Sequence, residues 1–119
     1  VIGMKRLSSH LIGIDQGSEI LFSDFETGGV MWTGSDYREC RVPVKFSEKY
    51  DQMPTVQVSI AMFDIGHTSN QRADITAENI TESGFEIVFR TWSDTKIARI
   101  RANWMSIGAL AHVDDWNLY

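Results

Sequence analysis

A tryptophan interrupts the stretch TWSDTK (residues 91–96), where small polar residues follow the apolar run from Phe85 to Arg90. Chains usually turn at Ser- and Asp-containing stretches of this kind, so Trp92 poses a chemical question. An indole there serves either as a core residue near a strand end or as an exposed flat surface for a ligand. The other polar side chains narrow the chemistry. Asp36, Asp64 and Asp94 stand in loop-like segments, but no motif pairs them, whereas glycoside hydrolysis needs two carboxylates roughly 5–10 Å apart. The same aspartates form no clustered calcium signature. His10, His67 and His112 show no recognisable metal spacing. Cys40 is alone, which excludes an intrachain disulfide and suits a reducing compartment or a fold that needs no staple. No catalytic residue, metal or cofactor is expected.

The elements that must position these residues alternate with period two from residue 38 onward. In RECRVPVKF, Cys40, Val42, Val44 and Phe46 point one way, while Glu39, Arg41 and Lys45 point the other. TVQVSIAMFD repeats the pattern with Val56, Val58, Ile60 and Met62. RADITAENI sets Ala73, Ile75 and Ala77 against Asp74, Thr76 and Glu78. Phe85, Ile87 and Phe89 share a face, although Val88 softens the alternation. Ala98, Ile100, Ala102 and Trp104 oppose Arg99, Arg101 and Asn103. Strands of this kind bury one face and leave the other to solvent, as antiparallel sheets do. EKYDQMP, DIGHTSNQ, TESG and WSDT supply the turns. Gly84 after Glu82-Ser83 fits a tight hairpin with a positive φ. A sixth strand is expected around Ser18 to Phe25, and a short helical turn near Lys5 to His10. Together these predict an all-β sandwich or barrel.

At 119 residues the chain is long enough for one domain with a real core, expected to span 1–119 with an extension at 1–17 and a tail at 111–119. Its 43% hydrophobic and 23% charged content is that of a globular chain. The net charge of -5 argues against nucleic acid, whose binding depends on neutralising phosphates. Arg99 and Arg101 are too few for a polyanion groove. No run approaches the roughly 18 apolar residues of a membrane span. The N-terminal VIGMKRLSSH lacks the apolar core of a signal peptide, and Met4 reads as a start. Synthesis in the cytoplasm, with later release or surface association, is the expectation. Asn79-Ile80-Thr81 matches a glycosylation acceptor, but no export signal accompanies it.

The order and spacing of several stretches resemble the H-type lectin domain, the family of the snail agglutinins and of the C-terminal domain of slime-mould discoidins. They are GSDYRE (34–39), VKF (44–46), MP-x-V-x-V-S-I (53–60), FDIGHTSNQR (63–72), GF, TW, WSDTKI (92–97) and NWMSIG (103–108). The resemblance implies a six-stranded antiparallel β-sandwich. It implies assembly into homotrimers or hexamers, and shallow metal-free sites between protomers for galactose-type sugars, notably N-acetylgalactosamine. It carries sugar contacts onto Gly34, Asp36, Arg72, Trp92 and Ser93, with Asp94 following. Snail lectins have histidine where this chain has Ser93, and they have cystine positions that this chain lacks. A bacterial or phage-like origin is the corresponding expectation.

The implied set is chemically sufficient for a monosaccharide. A carboxylate accepts from adjacent hydroxyls, a guanidinium donates a planar fork, and an indole covers a C–H face. A glycine lets backbone approach closely. Each residue alone also has an ordinary structural reading. Asp36 fits a turn bonding its own backbone, Arg72 a strand-end surface arginine or one paired with Asp74, and Trp92 a core or interface residue. Trp104 belongs to the core, Trp32 stands near the Asp36 loop where it would buttress or widen a site, and Trp116 lies in a polar tail. Arg99 and Arg101 would be solvated on the outer face of a strand, or would pair with acidic residues of another protomer across a trimer axis. A cell-attachment lectin is thus the first functional expectation. The alternative is a structural or adhesive phage- or particle-associated module with an altered sugar site.

Overall fold

The computed structural model describes residues 3–8 and 10–111, so His112 and Trp116 lie outside the described residues. Among the described residues, six strands form two antiparallel three-stranded sheets packed as a sandwich. The first sheet runs in the order β1 (Ile12–Phe22), β6 (Ile97–Ala109), β3 (Thr55–Ile65). The second runs β2 (Arg38–Lys45), β5 (Gly84–Thr91), β4 (Asp74–Glu78). The two central strands carry the core: Ile87, Phe89, Ile97, Ile100 and Ala102 are fully buried, and Phe46, Tyr50, Phe85 and Trp104 form an aromatic cluster beside them. The period-two alternation predicted for β2, β5 and β6 therefore marks the buried face.

The first strand departs from expectation. It begins at Ile12, not Ser18, and takes in residues assigned to the extension; the segment after it forms two short helices, α1 (Asp24–Thr27) and α2 (Val30–Thr33). No helix occurs at residues 5–8. The physical reason for the first discrepancy is an inverted pattern. Ile12, Ile14 and Ile20 face outward, while Gly13, Asp15, Gly17 and Glu19 occupy the inward phase. Leu110 covers Gly13, and the indole of Trp104, opposite Gly17 in the ladder, covers Gly17. A bulge between Ile60 and Met62 likewise brings Met62 opposite Arg101, off the inward phase it was expected to share with Ile60. The positive φ expected of Gly84 falls instead on Asn79 (φ 52°). Gly84 is needed for space, since a Cβ there would lie 2.3 Å from the Val44 carbonyl oxygen.

The outer faces of the sheets differ in chemistry. On β2-β5-β4, Arg41 and Arg90 are interleaved with Glu39, Asp74, Glu78 and Glu86, with ion-pair distances from 2.7 to 3.6 Å. Hydrogen bonds from Tyr37 and Arg41 lower the pKa of Glu39, and those from Thr76 and Arg90 lower that of Glu78. Val88, opposite Arg41 and Thr76, is fully buried on this face, which explains the softened alternation of β5. On β1-β6-β3 the ladder instead aligns Ile14–Ile107–Thr55, Gln16–Met105–Gln57 and Ser18–Asn103–Ser59. These three rows carry no charge.

Gly17 gives a test of the core. A Cβ there would lie 2.5 Å from Trp104 Nε1, so Gly17→Ala is expected to destabilise the domain by about 1–3 kcal/mol through overpacking. An unchanged urea midpoint would contradict this packing.

Candidate functional site

Antiparallel pairing brings the ends of β1, β3 and β5 and the starts of β2, β4 and β6 to the same end of the sandwich. Three connections meet there: the helical segment running into residues 34–37, the β3–β4 loop and the β5–β6 loop. Buried hydroxyls staple the second to the third. Thr95 Oγ1 donates to the Asn70 carbonyl (2.7 Å) and accepts from the Arg72 amide (3.1 Å), while Thr91 Oγ1 donates to the Arg72 carbonyl. Both threonines are fully buried. The Gly66 amide donates to the Lys96 carbonyl at 2.8 Å.

In the β5–β6 loop Trp92 is 42% exposed, which answers the question its position raised: it is not a core residue of this chain. Ser93 after it has a φ of 61°, and Asp36 in the facing loop has a φ of 62°. Side chains other than glycine rarely adopt this left-handed conformation, and such backbone strain concentrates at functional sites. The two strained residues are bonded to each other, the Asp36 amide donating to the Ser93 carbonyl at 2.8 Å. The Asp36 side chain is exposed and accepts no hydrogen bond among the described residues, so the ordinary reading as a turn residue bonding its own backbone does not hold. Gly34 serves a close approach, though to this chain's own backbone: a Cβ would lie 2.6 Å from the Val30 carbonyl oxygen, to which the Gly34 amide donates.

Arg72 pairs with Asp94, not with Asp74. Its Nη1 donates to Asp94 Oδ1 at 2.7 Å, while Asp74 lies 3.6 Å from Arg90. Asn70 donates from its backbone and side chain to Asp94 Oδ2, each at 3.5 Å. Partial desolvation raises the Asp94 pKa, but the hydrogen bonds from Arg72 and the backbone, with the charge of Arg72, outweigh it and hold the carboxyl below its ordinary value. The structure thus joins the loop of Gly34 and Asp36 to the loop of Trp92 and Ser93 through the Asp36–Ser93 backbone bond, and Asp94 of that second loop pairs with Arg72 of the β3–β4 loop.

Sequence reasoning missed Arg38. It is 5% exposed and forms no salt bridge among the described residues. Its guanidinium donates to the carbonyls of Asp36 (3.0 Å), Ser93 (3.1 Å), Met31 (3.2 Å) and, more weakly, Val30 (3.4 Å). Burial lowers its pKa, and the charge of Asp36 opposes that shift. The available signal was its phase, since Arg38 continues the inward series of Cys40, Val42 and Val44. Trp32 packs edge-on against Phe25 and lies 3.6 Å from where a Cβ on Gly66 would sit. Arg99, expected either in solvent or paired across a trimer axis, donates to Asp64 of its own chain at 3.3 Å. Among the described residues no three His, Cys, Asp or Glu side chains gather as metal ligands, and no helix is long and apolar enough to cross a membrane.

A family model described as the H-type lectin domain matches residues 41–107. The chain belongs to the H-type lectin domain family. Membership implies carbohydrate binding, and the family is one of lectins, not enzymes. Gly34, Asp36 and Arg38 precede the matched span; Arg72, Trp92, Ser93 and Asp94 lie within it. A bacterial relative, the ATP synthase subunits region ORF 7 of Fuscovulum blasticum, is 52% identical over 115 residues, which is 97% of this chain and 99% of that protein. A discoidin-1 polypeptide of Dictyostelium discoideum is 37% identical over 75 residues, 62% of this chain and 30% of the discoidin. The fold is that of discoidin II from the same organism, with a TM-score of 0.72 at 19% identity over 88% of this chain and 40% of that one. The H-type lectin domain here therefore spans less than half the length of the discoidins it matches. A looser likeness links it to the tailspike gp49 of Pseudomonas phage LKA1, with a TM-score of 0.51, 16% identity, and coverage of 85% of this chain and 15% of the tailspike.

The Arg72–Asp94 pair predicts a pH dependence. With a folded pKa below its unfolded value of about 3.9, Asp94 contributes stability that is present above that pH and is lost as pH falls through the folded value. Replacing Arg72 by Gln should raise the Asp94 pKa towards the ordinary carboxylate range in an NMR titration. An unmoved Asp94 titration would contradict the pairing.

Proposed function

We propose that this H-type lectin domain binds galactose- and N-acetylgalactosamine-type glycans and attaches to glycan-coated cell surfaces. The shallow site comprises Gly34, Asp36, Arg72, Trp92, Ser93 and Asp94. One observation carries this reading: the exposed carboxylate of Asp36, without an internal hydrogen-bond partner, stands on a loop bonded directly to the loop of the exposed Trp92. A free carboxylate accepts from adjacent sugar hydroxyls while an indole covers the apolar ring face. Arg72, with Nη1 engaged by Asp94, keeps other guanidinium donors for a hydroxyl, and Asp94 orients it. Ser93 offers a hydroxyl where snail lectins offer an imidazole, which bears on sugar preference.

The site is completed, on this reading, by a neighbouring copy in a trimer or a hexamer built from trimers. The outer face of β1-β6-β3 supports such assembly: Ile14 and Met105 are exposed at 66% and 46% amid neutral polar rows, and Ile20, exposed at 65%, lies beyond them opposite Arg101. A shallow site binds weakly, and symmetric repetition raises avidity on a multivalent surface. Ser93 also favours a second reading, a particle-attachment module with an altered sugar site, and the tailspike fold likeness accords with it.

A glycan array competed with galactose and N-acetylgalactosamine tests the first reading. Asp36→Asn preserves shape and tolerates the left-handed backbone while removing the charge, and Trp92→Ala removes the platform. Each should weaken binding by roughly tenfold or more, the loss of a charge-assisted or stacking contact. Wild-type affinity in both variants sinks the site, and no binding at high protein concentration favours the altered module. Light scattering should return a mass of three chains or six; a monomer mass removes the shared site.

A further inference from the structure

We infer that Arg38 is the positioning residue of this site, the group that holds Asp36 and Ser93 in the left-handed conformations from which they meet a sugar. The inference rests on the saccharide reading above and extends it to a residue that no ligand would touch. A buried cation ordinarily pairs with a carboxylate, since desolvating an uncompensated charge is costly. Arg38 has no such pair among the described residues and is compensated by main-chain dipoles, with donor–acceptor distances of 3.0 and 3.1 Å to the Asp36 and Ser93 carbonyls. Those carbonyls belong to the two strained residues of the site, with φ of 62° and 61°. A third bond at 3.2 Å reaches Met31 in α2, so one guanidinium joins the helical segment that runs into residues 34–37 to the β5–β6 loop.

The planar fork of arginine matters here. Several donors in a fixed plane can serve carbonyls on different segments at once, whereas lysine presents a compact charge on a flexible stem. The Asp36 amide, bonded to the Ser93 carbonyl that also accepts from Arg38, reports whether the loops are held together. Arg38 does not contribute an apolar surface to the core; it stabilises one arrangement of two loops.

The experiment uses the full chain with Arg38→Lys and Arg38→Ala. It reads N-acetylgalactosamine affinity, hydrogen exchange of the Asp36 amide without sugar, and rescue of Arg38→Ala by added guanidinium. Both variants should keep the far-ultraviolet spectrum of the wild type, lose roughly tenfold or more in affinity, and lose Asp36 amide protection. Guanidinium should restore part of the affinity of Arg38→Ala. A folded variant with wild-type affinity and wild-type Asp36 protection overturns the inference. So does failure of both variants to fold, because the residue would then serve the fold and not the loops. If the wild type binds no galactose-type sugar, the saccharide reading fails, while Asp36 exchange still decides whether Arg38 sets the loops.

Discussion

Taking the guanidinium of Arg38 out of water removes its hydration, and the chain replaces that hydration with backbone carbonyls from the segment running from α2 into β2 and from the β5–β6 loop. The Asp36 and Ser93 carbonyls that accept from Arg38 belong to residues whose backbone conformations are unfavourable in isolation. The loop end of this lectin domain is therefore over-determined, by Arg38, by the Asp36–Ser93 backbone bond and by the buried hydroxyls of Thr91 and Thr95. What remains free after these bonds are made is the outward chemistry: the Asp36 carboxylate, the Trp92 indole and the unused donors of Arg72. A rigid frame with few uncommitted polar groups is the arrangement a small polar ligand requires.

The same economy separates the two sheets. The outer face of β2-β5-β4 interleaves two arginines with four carboxylates, a charged surface that discourages apolar association. The outer face of β1-β6-β3 is neutral along three consecutive rows and exposes isoleucines on β1. That asymmetry gives the domain one charged side and one largely neutral side, and the proposed assembly uses the neutral one. Site and assembly are linked on the proposed reading, since weak single sites become useful through repetition.

Much of this was legible in the residues. The alternation of RECRVPVKF, GFEIVFRTW and KIARIRANW marked the inward faces of β2, β5 and β6, because one buried face imposes period two on any strand. β1 was harder to place, since its isoleucines face outward and its inward phase holds glycines filled by Trp104 and Leu110 from elsewhere in the chain. No local rule reveals that a glycine is covered by an indole arriving from a neighbouring strand. Arg38 was overlooked because an arginine in a turn-rich stretch ordinarily belongs to the surface, although its phase with Cys40 and Val42 pointed inward.

The sequence by itself determined the all-β class, the family, and the residue types from which a sugar site could be assembled, because periodicity and motif order are local properties of the chain. Only the tertiary structure decided that Trp92 is exposed, that Arg72 pairs with Asp94 and not Asp74, and that Asp36 and Ser93 share a backbone bond. Those facts depend on which loops the antiparallel pairing brings to one end of the sandwich. Residues 36 and 93 stand far apart along the chain, and only the pairing of β2 with β5 makes them neighbours.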